Sequence, residues 1–191
     1  RTLLNGKSLL AVQYNPFHIT VPHSFCDEVI KDGDLLDNTK AKIQDGNNAN
    51  RSSKVSWLNE SYNLSTELNH FIYSANSLVF NFSIKEFEPL QYTVYNEGDH
   101  YDWHIDTHNK PYKNGMIRKL SFTLCLNDEF EGGDFKICEP HPITNKTKEK
   151  TFKLKKGEMI IFPSNTWHKV DKITKGIRKS LVGWVVGKPF I

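Results

Sequence analysis

With 191 residues, 38% of them hydrophobic and 25% charged, the chain can bury one substantial core and is expected to form a single domain over 1–191. A net charge of +3, with lysines and arginines interleaved among the acids, demands neither a nucleic-acid nor a membrane partner, although nucleic acid is not excluded. No apolar run approaches the roughly 20 residues of a membrane span, "RTLLNGKSLLAVQYNPF" lacks the apolar core of a secretion signal, and Cys26, Cys125 and Cys138 follow no disulfide or metal spacing. A reducing, cytoplasmic compartment is the expectation.

In chain order, "VPHSFCDEVIKDGD" predicts a short helix capped by Ser24, with Asp27 three residues on and Phe25, Val29 and Ile30 at helical spacing. Residues 37–54, "DNTKAKIQDGNNANRSSK", have no hydrophobic period and read as a mobile loop. "LSTELNHFIYSANS" predicts a second helix capped by Ser65, whose stripe of Leu64, Leu68, Phe71 and Ile72 suits packing on a sheet. From residue 78 the period becomes two, in "LVFNFSI", "LQYTVY", "KLSFTLCLN", "GDFKICE", "TFKLK", "EMIIFP" and "KSLVGWVVG". Short strands at this spacing behind N-terminal helices predict an α+β domain built on a β-sandwich or jelly roll, with a helical lead-in over about 20–77 and a strand core over about 78–187. The six lysines of "TNKTKEKTFKLKKG" read as a solvated hairpin.

Potential metal ligands crowd residues 95–110, "YNEGDHYDWHIDTHNK". In an extended strand residues two apart share a face, so His104 and Asp106 project together while Ile105 faces away. "FPSNTWHKV" offers His168 as a third ligand, on a turn between predicted strands. Two histidines and a carboxylate on one face of an octahedron leave the remaining positions open, the arrangement of non-haem Fe(II) oxygenases. His100 and His108 flank the pattern as solvated histidines, and Asp99 and Asp102 lie outside its register.

Tyr95, Gly98, Tyr101, His104 and Asp106 together follow Y-x-x-G-x-x-Y-x-x-H-x-D, and "RKLSFTLCLN", "EGGDFKI", "KKGEMIIFPSNTWHKV" and "GIRKSLVGWVVG" follow in order. The chain thereby resembles the prolyl 4-hydroxylase-like branch of the 2-oxoglutarate and Fe(II) dependent dioxygenases, and "RSSKVSWL" and "YSANSLVFNFSI" resemble the lead-in of its PKHD-type hydroxylases. The resemblance implies a double-stranded β-helix, or jelly roll, with Fe(II) held by the catalytic set His104, Asp106 and His168. It further implies 2-oxoglutarate and O2 as cosubstrates, ascorbate as a candidate reductant, and hydroxylation of a C–H bond coupled to release of succinate and CO2.

Arg178, ten residues after His168, stands where the family places the anchor of the far 2-oxoglutarate carboxylate, which a guanidinium grips with two parallel hydrogen bonds. Alternation puts Arg178, Ser180, Val182 and Trp184 on one face, assigned to the interior, and Leu181 and Val185 on the other. In "KLSFTLCLN" it sends Leu120, Phe122, Leu124 and Leu126 to the helix-covered side and Ser121, Thr123 and Cys125 inward. Some relatives carry tyrosine where Cys125 stands, so Thr123, Tyr95 or a water is left to supply the second contact to the carboxylate. On the substrate side the resemblance puts Tyr101 near the mouth, and Trp184 is expected beside the iron ligands. Three functions stay open: a hydroxylase of a peptide or protein side chain, proline foremost; the same chemistry on a nucleobase or small molecule; or a binding module without turnover, against which the intact His104, Asp106, His168 and Arg178 speak.

Overall fold

The β-rich runs of the sequence assemble into two facing antiparallel sheets. The structure, a computed structural model, describes residues 15–36, 39–40, 50–58, 64–107, 110–140 and 147–190. The larger sheet centres on the runs with the cleanest alternation. Here β8 (Ile117–Cys125) and β6 (Gln91–Tyr95) flank β15 (Arg178–Gly187), with Leu124 opposite Leu181 and Arg178 opposite Tyr95. Outside β8 lie β12 (Glu158–Pro163) and β1 (Phe17–Thr20); outside β6 lie β4 (Lys54–Trp57) and β2 (Thr39–Lys40); β5 (Glu86–Phe87) pairs with the far end of β15. The smaller sheet runs β11 (Thr147–Phe152), β10 (Phe135–Pro140), β13 (Trp167–Val170), β7 (His100–His104) and β3 (Arg51–Ser52). A two-stranded ribbon joins β14 (Ile173–Gly176) to β9 (Phe130–Gly132).

The period of two decides which side chain meets which layer. On the outer face of the large sheet, Leu120, Phe122, Leu124, Leu181 and Val185 pack with Phe25 and Val29 of α1 (His23–Asp34) and Leu68 and Ile72 of α2 (Leu64–Ala75). Burying each such side chain contributes about 1.5–3 kcal/mol. On the inner face Tyr95, Cys125, Ile160 and Phe162 meet Phe135, Ile137 and Val170 from the small sheet. The parity expected for β8 and β15 holds from Leu120 and Arg178 up to a register shift at Val185/Val186, beyond which Arg118, though of Leu120's parity, turns to the inner side.

Both expected helices form, but their caps differ. The first begins at His23 after Pro22, with no side-chain cap, because Pro22 already fixes the entry and the Pro22 carbonyl accepts the Phe25 N–H at 3.1 Å; Ser24 lies inside the first turn. Likewise α2 already includes Ser65. The run at 78–84 is not a strand. The chain continues from α2 into a π-helical turn, Asn76–Phe80, closed by Asn81 at φ 51°, and the Asn76 amide clamps both backbone groups of Phe82 at 3.0 and 2.9 Å. Phe80 is thereby delivered to the helix-side core rather than to a sheet. Within 37–54, the described residues form β2, β3 and the start of β4, so part of the lead-in completes both sheets; residues 37–38 and 41–49 lie outside the described residues. Of the lysine-rich segment, Thr147–Phe152 form β11, an edge strand antiparallel to β10 with side chains exposed from Thr147 to Thr151; residues 144–146 lie outside the described residues.

Candidate functional site

The interior between the sheets opens as a cavity of about 650 Å³ at one end of the fold. Strand pairing brings its two histidines together: on the small sheet, His168 of β13 stands directly opposite His104 of β7. His168 is therefore a strand residue, not the turn residue that its neighbours suggested, and it is buried against Phe162 and Phe135. The strand ends at His104, so His104 and Asp106 do not converge by strand alternation. Asp106 lies just past the end, where its own N–H and that of Thr107 both donate to the Ser164 carbonyl, at 2.9 and 3.1 Å. That double tie to the end of β12 turns the carboxylate inward.

One ligand atom from each of His104, Asp106 and His168 lies within 4.8 Å of the others. The tautomers follow from the partners. His104 Nδ1 lies 2.7 Å from the Asp102 carbonyl and His168 Nδ1 2.8 Å from the Thr166 carbonyl; since a carbonyl only accepts, each Nδ1 donates there, and Nε2 is the nitrogen of each ring turned to the Asp106 carboxylate. The two Nε2 atoms lie 3.8 and 3.5 Å from the Asp106 carboxylate oxygens. Burial, with His168 beside it, holds His104 well below the usual imidazole range and so neutral. Burial opposes the charge on Asp106, but His168 and His104 beside it outweigh burial and hold the carboxyl below its usual range. Two imidazoles and one carboxylate make a donor set that fits Fe(II).

Tyr101 stacks on His104 with 3.5 Å between ring centroids, although residues three apart in a regular strand face opposite sides. A bulge explains it. Val170 pairs with Tyr101 and His168 with His104, so β7 carries one residue more than β13 over this interval. Burial pushes the Tyr101 phenol up to about 12. At the turn before β7, Gly98 sits at φ 89°, a conformation costly for any residue with a Cβ, and donates its N–H to Ile173. The Asp99 carboxylate accepts the Asn96 N–H at 2.8 Å, and His100 Nδ1 lies 3.3 Å from the Ser52 hydroxyl; both are structural. His108 lies outside the described residues.

Deeper in, Arg178 is 1% exposed, the largest fully buried side chain among the described residues. Its Nη1 reaches the Ser180 hydroxyl at 3.2 Å, while Nε and Nη2 have no protein acceptor. Those two nitrogens form one edge of the planar fork, the edge that grips a carboxylate with two parallel bonds. A buried guanidinium with that edge unengaged is costly unless an anion completes it, so the residues present fit the far carboxylate of 2-oxoglutarate. Tyr95 stands beside it, ring centroid 5.6 Å from the guanidinium carbon, and Thr123 lines the same cavity. Cys125 turns its thiol to the Asn127 carbonyl at 3.3 Å and is held protonated by burial.

Three features escaped the sequence reading. Arg118 lies over the Trp184 indole at 3.9 Å, is gripped by both Glu88 oxygens at 2.9 and 2.6 Å, and reaches the Asp106 carbonyl at 3.4 Å. Arg51 lies over the Tyr101 ring, its guanidinium carbon 4.5 Å from the centroid. All four tryptophans of the chain, Trp57, Trp103, Trp167 and Trp184, line the cavity. Only parity on β15 pointed to one of them; the others belong to bulged or short strands that no alternation reveals.

This pairing of a His-Asp-His centre with a buried arginine, inside a double-stranded β-helix, defines a class. Residues 90–186 match the family model of the 2OG-Fe(II) oxygenase superfamily, and the chain belongs to that superfamily. A PKHD-type hydroxylase of Synechococcus sp. (strain CC9311) is 41% identical over 90 residues, covering 44% of this chain and 36% of that protein. One of Prochlorococcus marinus (strain NATL2A) is 34% identical over 148 residues, covering 73% and 62%. The chain thus spans between about a third and just under two thirds of these relatives' length. Among solved structures, a Pseudomonas putida prolyl-4-hydroxylase superposes with a TM-score of 0.70 at 16% identity, over 93% of this chain and 95% of that one. A Trichoplax adhaerens prolyl hydroxylase in complex with a hypoxia inducible factor peptide fragment gives 0.71 at 19%, over 91% and 84%. These likenesses are of fold. No helix among the described residues is long and apolar enough to cross a membrane.

Proposed function

We propose that the protein is a 2-oxoglutarate-dependent hydroxylase acting on a prolyl residue of a peptide or protein. The observation that carries the reading is Arg178, whose unengaged Nε–Nη2 edge is buried in the cavity that His104, Asp106 and His168 also line. A chelating 2-oxo acid with a second carboxylate satisfies both at once. Bound Fe(II), with 2-oxoglutarate and O2, supplies the oxidising power that places one oxygen atom into a C–H bond as 2-oxoglutarate becomes succinate and CO2.

The chain's own contribution is geometric and electrostatic. His104 and His168 present Nε2 because backbone carbonyls hold their Nδ1 protons, and Asp106 stays ionised between them. Arg178 orients the cosubstrate from its far end, with Ser180 steadying the guanidinium and Tyr95 and Thr123 lining the bed. Trp184 walls the Asp106 side and Tyr101 the His104 side of the reacting centre. The peptide assignment is supported by the open, aromatic mouth and by the Trichoplax adhaerens relative's peptide complex.

Purified protein is given Fe(II), 2-oxoglutarate and ascorbate with panels of prolyl peptides, nucleic acids and free amino acids. Succinate formation and mass spectrometry should agree: a prolyl peptide gains one oxygen, dependent on 2-oxoglutarate. Stimulation by a nucleic acid or amino acid while prolyl peptides leave succinate at background would remove the peptide assignment.

A further inference from the structure

The charges around the cavity do not balance until something else arrives. Three guanidinium groups line it, Arg51, Arg118 and Arg178, against one carboxylate, Asp106. Arg118 is neutralised by the two-pronged ion pair with Glu88. Arg178 faces the site assigned to the far carboxylate of the cosubstrate, and Asp106 faces the metal position. Arg51 is left over: among the described residues its guanidinium has no carboxylate partner, its one side-chain hydrogen bond being Nε to the Ser53 hydroxyl at 2.9 Å.

Its position makes that charge useful. Pairing of β3 with β7 sets Arg51 opposite Tyr101, and the guanidinium carbon lies over that ring, 4.5 Å from its centroid, while the same ring stacks on His104. The cation thus shares a ring with the His104 imidazole and is held by that ring and by the Ser53 hydroxyl, so it is preorganised. Around the same mouth Trp57 and Trp167 are half exposed, at 50% and 51%, an unusual cost unless a ligand covers them. An extended peptide advances about 3.5 Å per residue, so a carboxylate one or two residues from the oxidised position reaches Arg51.

We infer that Arg51 is a specificity residue which takes a carboxylate of the substrate, so that the preferred peptide is acidic beside its target residue. This rests on the peptide reading above. The carboxylate can belong to an Asp or Glu side chain or to the peptide's C-terminus, and both present the same chemistry to a guanidinium.

The experiment compares prolyl peptides of one sequence whose flanking residue is Glu or Gln, each with a free or amidated C-terminus, by succinate formation at low salt. KM for the Glu peptide should be about fivefold to tenfold below that for the Gln peptide, the gain of a partly dry charged contact. An advantage confined to the free C-terminus would instead name the terminal carboxylate as the partner. Raising salt should erode the difference in KM and leave kcat in place. The Glu-to-Gln KM ratio should collapse towards one in Arg51→Gln and invert in Arg51→Glu when a Lys-flanked peptide is included; Lys85→Gln, an exposed change away from the cavity, is the control. Equal KM values for all peptides in the unmutated protein, or an unchanged ratio in Arg51→Gln, overturn the inference without reference to any folding defect. If no prolyl peptide is turned over, binding is followed by tryptophan fluorescence with Glu- or Gln-containing peptides that lack proline. An Arg51-dependent preference for Glu there keeps the inference and removes only the proline assignment; equal binding, or Arg51-dependent binding of an oligonucleotide instead, overturns it.

Discussion

Replacing Arg178 by Met should uncouple cosubstrate binding from the stability of the protein itself. Without 2-oxoglutarate the guanidinium makes one side-chain hydrogen bond, to Ser180, and is 1% exposed. A Met of similar length fills the space without a charge, so the ligand-free protein should lose little stability. With 2-oxoglutarate the loss is large, since a buried carboxylate would lose a two-pronged charged partner. Breaking such a pair costs on the order of 3–5 kcal/mol, or several hundredfold and more in Kd. The assay is a thermal melt with a redox-inert metal such as Mn(II), with and without 2-oxoglutarate. At a concentration about 100 times Kd the ligand stabilises by about 2.7 kcal/mol, which for a chain of this size is a Tm rise of about 5–10 °C. After a several-hundredfold loss in affinity the same concentration should shift Tm by under about 1 °C. Metal affinity, read by quenching of the four cavity tryptophans, should change far less. A 2-oxoglutarate shift of undiminished size in Arg178→Met would refute the anchor and transfer the role to another cation.

Three further outcomes are expected. His104→Ala, Asp106→Ala and His168→Ala should each abolish tight Mn(II) or Fe(II) binding and 2-oxoglutarate turnover while circular dichroism stays native; turnover near the unmutated rate in Asp106→Ala would remove the metal assignment. Arg118→Gln leaves Glu88 with the Tyr112 hydroxyl but no cation and frees both the Trp184 ring and the Asp106 carbonyl, so metal affinity should fall about tenfold with Tm lowered, and a double-mutant cycle with Glu88→Gln should give a coupling of about 1–3 kcal/mol. Asp34 is held below the usual carboxylate range; its burial opposes this, but the Lys179 ammonium and the Tyr92 hydroxyl, both at 2.6 Å, prevail. A depressed carboxylate stabilises above its unfolded pKa near 3.8 and loses that contribution as pH falls through the lower folded value. Asp34→Asn should therefore cost about 1 kcal/mol in urea melts at pH 7, an amount reduced by the partial exposure of the pair, and the difference from the unmutated protein should close as pH drops below about 4; a gap that persists at pH 2 would mean packing, not charge, holds that corner.

The sequence by itself determined whatever depends on local period and residue chemistry. The alternation in β8 and β15 assigned Leu120, Phe122, Leu124 and Leu181 to the helix side and Arg178, Ser180 and Trp184 to the cavity, because a strand buried on both faces has no freedom to slip by one residue without exchanging them. His104, Asp106, His168 and Arg178 pointed to the chemistry through the family resemblance that their motifs carry. Tertiary structure decided the rest, where period failed. His168 is a strand residue because pairing with His104 across β7 and β13 creates the strand, and a bulge that no alternation predicts turns Tyr101 onto His104. Asp106 points inward through hydrogen bonds to Ser164, far along the chain, rather than through strand geometry. The apolar run at 78–84 looked like a strand, yet the Asn76 side chain closes a π-helical turn there by occupying the backbone groups a sheet would need. Arg51 and Arg118 have no role in any motif of the sequence; the rings they lie over are contacts that exist only once distant strands are paired.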